Sequence, residues 1–346
     1  MSEQATAGFA VETRGSTQEL GAFVVAARFD RTGRELAFGL GDGTLRLVDP
    51  AAPAGGWRTA NLHDGAVLAL AAHPAAGFVS GGDDGRLVHL DADGSVHELA
   101  AFGMKWVEQV ACFPGEKGLI ACAVGKTVHL FDAAGRKLKE LVHPSSVTGL
   151  AFDAKGKRIA ASHYNGTSLW FVAAKTDSPR VLEWKGSHVG LALHPESEAV
   201  VTAMQENALH GWALPDGKHM RMSGYPGKTR ALSFSRTGKW LATSGADAMV
   251  LWPFFGGGPM GKAPMELAGG DGVLCSDVAF HPREEVVAGG FADGLVVLAD
   301  VNSSRILPIA PPGRGPVSAL AWSPAGMHLA IGTEEGFAAV VDMSKR

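Results

Sequence analysis

The sequence predicts an all-β chain built from one repeating unit and closed into a ring. Segments such as LAFGLGDGTLRLVD (Leu36 to Asp49), VAGGFADGLVVLAD (Val287 to Asp300) and LAIGTEEGFAAVVD (Leu329 to Asp342) share their apolar, glycine and final aspartate positions. Each copy follows a second apolar run, whose last core position is Phe29, Ala72, Cys112, Phe152, Leu193, Phe234, Phe280 and Trp322 in turn. Those positions recur every 40 to 46 residues. The runs are short, rich in β-branched and aliphatic residues and free of extended helical periodicity. A period near forty residues made of such strands is that of one small sheet in a ring of sheets, a β-propeller.

The units fall near 24–49, 67–91, 107–132, 147–171, 188–213, 229–253, 275–300 and 317–342, in a single domain over 8–346 after a flexible 1–7. Within each, three runs read as an inner strand and a following hairpin. The hairpin turn is usually Asp-Gly or a relative (Asp42-Gly43, Asp84-Gly85, Asn165-Gly166, Asp293-Gly294, Glu335-Gly336), residues that tolerate positive φ. A more polar outer strand follows in SVHEL (Ser95 to Leu99), KLKELV (Lys137 to Val142) and PRVLEW (Pro179 to Trp184). The last unit has no room for its own outer strand, so FAVET (Phe9 to Thr13) is expected to supply it and close the ring. Closure removes a sheet edge that would otherwise invite aggregation. The expectation is eight four-stranded blades, with seven plus an appended blade as the alternative.

The residue before each core position is Arg28, Ala71, Ala111, Ala151, Ala192, Ser233, Ala279 and Ala321. All but Arg28 are small, as inner strands crowded about an axis require.

On these residues the chain resembles the WD-repeat β-propeller family over nearly its whole length. The carriers are the Gly-x-x-Asp-Gly turn and the apolar strand that ends in an aromatic-Asp or similar pair, clearest at Phe131-Asp132. Trp170, Trp212 and Trp252 occupy the family's tryptophan position, though none precedes Asp; His63 and His143 match its histidine. The resemblance implies a rigid, non-enzymatic scaffold and an incomplete Asp–His–Ser/Thr–Trp locking network, with many blades relying on packing.

Composition excludes several classes. The chain is 46% hydrophobic and 19% charged, with net charge −4, so it can bury a core but offers no basic field for nucleic acid. Cys112, Cys122 and Cys275 have no metal-ligand or disulfide spacing. No signal peptide or membrane-spanning run is read, so a cytoplasmic location is expected.

One stretch imitates nucleotide-binding chemistry. Gly256 to Lys262, within PFFGGGPMGKA, has phosphate-loop spacing. The hydroxyl that should follow the lysine is replaced by Ala263, and Pro264 prevents the helix such a loop needs. It is read as a loop leading to the sixth outer strand, with Phe254 and Phe255 either tucked in or presented to a partner. His73, His194 and His281 each precede proline at one repeat position and read as turn residues. His163 lies in a tight turn, and Asp91 to Ser95 reads as a surface turn that lacks a calcium loop's later glutamate.

No catalytic, cofactor or metal residues are assigned. The predicted function is a protein or peptide interaction scaffold, monomeric or part of a hetero-complex. Its candidate surface is the rim where loops entering the inner strands meet the Asp-Gly turns: Phe102, Lys105, Trp106, Tyr164, Met204, Tyr225, Arg230, Phe291 and Arg314. Phe254 and Phe255 lie on the other face. Aromatic, Met and Arg residues are what interface cores favour. The alternatives are a metal-dependent hydrolase-type propeller using Glu108 and Asp277 at the axis, and an obligate subunit of a larger complex.

Overall fold

The computed structural model describes residues 8–114, 118–176, 178–270 and 272–344; the segment expected to be flexible, 1–7, lies outside them. The first unit is representative: Val24–Phe29, Leu36–Leu40, Thr44–Val48 and Arg58–Asn61 pair antiparallel in chain order. Leu36–Leu40 is buried at every residue, whereas Arg58–Asn61 is mostly exposed. A strand covered on both faces by neighbouring sheets needs a continuous apolar run, and an outer strand does not. The Asp-Gly turns form as expected. At Gly43, φ is 85° and the N–H donates to Leu40 O at 3.1 Å. A Cβ there would also lie 2.4 Å from His63 O of the next unit, so glycine is required by both its backbone angle and this close approach.

The sheet count corrects the expected eight. The described strands form seven hydrogen-bonded sheets, six of four strands and one of six. Units four and five share the large sheet because two of its strands are double length. Arg158–Phe171 folds back on itself at Asn165-Gly166. The first half of Arg180–Leu193 is the outer strand of unit four, and its second half is the inner strand of unit five. Nothing in the composition of WKGSHVG marks the missing break. The count is seven sheets by hydrogen bonding and eight repeats by chain.

Packing between units holds the ring. Each buried apolar cluster joins two neighbours: one holds Phe38 with Val340, another Val79 with Ile120, another Trp252 with Val201. Fully burying one such side chain contributes about 1.5–3 kcal/mol. Hydroxyls at one repeat position then join inner strands: Thr148 donates to His188 O, Ser276 to Val317 O at 2.6 Å, and Ser318 to Val24 O at 2.6 Å. At about 1 kcal/mol each these bonds fix alignment more than strength. The His-Pro turns behave as read. His194 Nδ1 accepts from Glu196 N, and its Nε2 donates to Gly238 O of the next unit at 3.0 Å. His281 bridges to Gly326 O at 3.1 Å in the same way.

Two sequence expectations fail locally. The closing strand is Gly15–Glu19, paired with Phe337–Asp342, not Phe9 to Thr13. Ala10–Arg14 is instead a short helix whose Ala10 and Val11 are buried in the cluster holding Ile309 and Ala310. Its apolar residues serve as a plug, while the polar GSTQE needs only backbone pairing. In unit three the inner strand is Gln109–Phe113 and pairs Phe113 with Leu119, so Phe113, not Cys112, holds the core position.

Candidate interaction surface on the loop rim

The loops entering the inner strands and the glycine turns do share one rim. Phe102 N donates to Gly85 O at 2.8 Å, and Val107 N to Gly82 O at 3.0 Å. These bonds anchor both ends of a loop whose middle residues project outward. Met104 is 97% exposed and Trp106 57%. Together with Lys105, Glu108 and Gly125 they line a shallow hollow of about 300 Å³. Tyr164, at 58% exposure, stands on the rim of the next unit, its N–H held by Ser145 Oγ at 2.9 Å. Phe23 and Leu274 are also exposed on rim loops. Phe23, Met104 and Leu274 were missed, although Phe23 and Met104 are of the residue types that interfaces favour; their mark is an apolar residue beside glycine or a turn.

The remaining rim candidates divide by burial. Lys105 and Arg230 are exposed, and Arg230 pairs with Glu334 at 3.7 Å. Phe102 is half-buried against His129, with ring centroids 4.6 Å apart. Arg314 is half-buried, its guanidinium 4.1 Å from the centroid of the Phe337 ring. Met204, Tyr225 and Phe291 are buried and cap the ends of blades. Tyr225 has a further task. Trp252 Nε1 donates to its hydroxyl at 2.6 Å, the hydroxyl bonds Thr243 Oγ1 at 2.6 Å, and Thr243 donates on to Val250 O. Burial pushes the Tyr225 hydroxyl up to about 12.

Tyr225 therefore stands where other units place histidine. His63 bridges Asp84 and Ser80, and Trp170 Nε1 donates to His143 Nε2 at 2.9 Å. The locking network is thus fuller than the sequence implied, with three chemically different versions.

On the opposite face the glycine loop closes on itself. Lys262 Nζ donates to the carbonyls of Phe255 and Gly258 and lies 4.8 Å from the centroid of the Phe255 ring. A phosphate loop turns N–H groups inward; this one turns carbonyls inward and holds its own cation. Phe254 is buried, edge-on to Phe234 at 5.0 Å, while Phe255 is 47% exposed beside Trp240. The loop walls a cleft of about 550 Å³ shared with unit five.

The axis is a channel of about 540 Å³ lined by inner strands. Asp277 lines it, whereas Glu108 lines the rim hollow, so the structure does not bring the two carboxylates together. Among the described residues no three His, Cys, Asp or Glu side chains are grouped as metal ligands. Burial pushes Asp277 up to about 7, opposed by the N–H groups of Leu320 and Val278 and by Arg28. No described helix is long and apolar enough to cross a membrane.

Comparisons with known proteins agree with this architecture. Residues 278–346 match the model of the anaphase-promoting complex subunit 4 WD40 domain. Mouse telomerase protein component 1 is 25% identical over 232 residues, 64% of this chain and 8% of that protein. Autophagy-related protein 16 of Arabidopsis thaliana is 20% identical over 310 residues, 86% of this chain and 59% of that protein. The chain thus spans less than two thirds of either relative. The crystal structure of the computationally designed Ika8 protein superposes with a TM-score of 0.74 at 20% identity, over 94% of this chain and 99% of that one. Repeat pattern and sheet geometry make the chain a β-propeller of WD-repeat type, and its C-terminal part is similar to a WD40 domain.

Proposed function

We propose that the protein is a non-enzymatic scaffold that docks a protein or peptide on its loop rim, centred on Met104, Lys105 and Trp106 with Tyr164 beside them. The observation that carries the reading is the exposure of Met104 and Trp106 on a loop anchored at both ends. Apolar side chains held out in water by a rigid frame lose little freedom on binding, and aromatic anchors in shallow hollows dominate interface energies. The names of the matching domain and of the mouse relative, a complex subunit and a telomerase component, support a role among protein partners.

Affinity capture from the native host tests the reading, comparing wild type with Met104→Ala/Trp106→Ala and with Phe255→Ala. A partner retained by Phe255→Ala and lost by the double variant supports rim docking. Retention by the double variant moves the surface elsewhere.

A further inference from the structure

The axis carries a guanidinium that forms no ion pair among the described residues. At the level of the inner strands where the other units place alanine, serine or, in unit three, cysteine, unit one projects Arg28 into the channel. The group is surrounded by protein yet accessible to water inside the channel. Its sole hydrogen bond among the described residues runs from Nη1 to Ala27 O at 2.7 Å. A guanidinium has five N–H donors, so most of the fork is free.

The nearby acid does not take it up. Asp277 accepts from Leu320 N at 2.7 Å and Val278 N at 2.9 Å, and it forms no ion pair with Arg28 among the described residues. The channel hydroxyls are occupied too, since Thr148 and Ser318 donate to neighbouring strands and Ser233 accepts from Phe280 N. A guanidinium with most of its fork free, facing a water-filled channel walled by protein, presents a ready two-bond site to an anionic partner.

From this geometry we infer that the axial channel is a binding site for a carboxylate ligand, gripped by the free fork of Arg28. A planar carboxylate matches the fork in a two-bond arrangement, and about 540 Å³ is room for a small molecule or a short chain end. With Arg230 paired to Glu334, Arg28 beside an acid suits a monoanionic group better than a phosphate dianion. The charged or titratable groups around Asp277 are Arg28 of unit one, Cys275 on its own strand and Arg230, which lines the same channel. Protonated, Asp277 donates a hydrogen bond toward the ligand; ionised, it repels the ligand. Binding should therefore weaken as pH rises past about 7.

Calorimetric titration of the full chain at pH 6 and pH 8 tests this, using propionate and a pentapeptide with either a free or an amidated C-terminus. Saturable binding of propionate alone identifies a free small acid. Binding of the free-ended peptide, but not the amide, identifies a chain end. Either supports the site if Arg28→Gln weakens it at least tenfold. From wild type the loss between pH 6 and pH 8 should be about tenfold, the ratio of protonated Asp277 at the two values, and Asp277→Asn should flatten it. A flat wild-type profile removes Asp277 from the site. Should Arg28→Gln fail to fold, Arg28→Lys keeps the charge, loses the fork and should still bind several-fold more weakly. No saturable binding of either probe at pH 6, or binding indifferent to Arg28, overturns the inference.

Discussion

Two loops on opposite faces contain similar ingredients and use them differently. Residues 102–107 and 253–262 each carry aromatic residues, a lysine, a methionine and glycine. On the rim, the backbone is bonded at both ends and the Met104 and Trp106 side chains stand exposed. In the glycine loop, positive φ at Gly256, Gly257, Gly258 and Gly261 bends the chain until its carbonyls surround Lys262. Residue type alone thus does not mark a binding surface; what matters is whether the backbone can satisfy its own side chains. A loop that can becomes a closed structural piece, and one that cannot remains available.

The sharpest way to separate buried rim residues from presented ones is Tyr225→Ala. It removes a buried ring and the middle of the Trp252–Tyr225–Thr243 chain, so stability measured in urea should fall by about 3–5 kcal/mol, with rim binding preserved while the protein stays folded. Trp106→Ala should do the reverse. Partner affinity should fall by about 2 kcal/mol, roughly thirtyfold, with an unchanged unfolding midpoint. If Trp106→Ala lowers the midpoint as much as Tyr225→Ala, the rim loop is structural and the contrast collapses.

Acid should weaken the frame that carries both loops. Burial lowers His63, His73, His129, His188 and His328 from the ordinary histidine value, and takes His143 to about 4 and His210 to about 3. Unfolded histidines take protons near pH 6.5, so below that the unfolded chain binds more protons and stability drops as pH falls toward 4. Asp277 acts in the opposite sense, since its raised value adds stability that is lost as pH rises toward 7. Glu35, also raised by burial, acts in the same sense as Asp277; seven histidines outweigh these two acids, and the melting temperature should decrease from pH 7 to pH 5. The smallest effect belongs to Lys262→Met. It should cost about 1 kcal/mol, leave rim binding intact and raise protease cleavage within 255–261 several-fold.

How much of this was legible depended on whether a feature repeats. The period, the Asp-Gly turns and outer strands such as Lys137–Val142 recur, so the sequence displays them several times. Single events were hidden. GSTQE closes the ring through backbone pairing with mostly exposed side chains, which leaves no apolar alternation to read. The fusion of units four and five lies in backbone continuity, without a special residue. Rim membership was readable from position, but direction was not: Met204, Tyr225 and Phe291 share the rim with Trp106 and point inward. Arg28 was visible as the single large residue in a column of small ones, yet its meaning emerged only when the structure showed it unpaired.

The closing pair of strands also sets how the molecule would respond to load. Gly15 lies opposite Val341 and Glu19 opposite Phe337, so the chain enters and leaves at the same end of this antiparallel pair. Tension applied through residues 8 and 344 would open its hydrogen bonds one after another, as a zipper opens, and not all at once as in shear. The ring therefore has a mechanically soft seam at the pairing of Gly15–Glu19 with Phe337–Asp342.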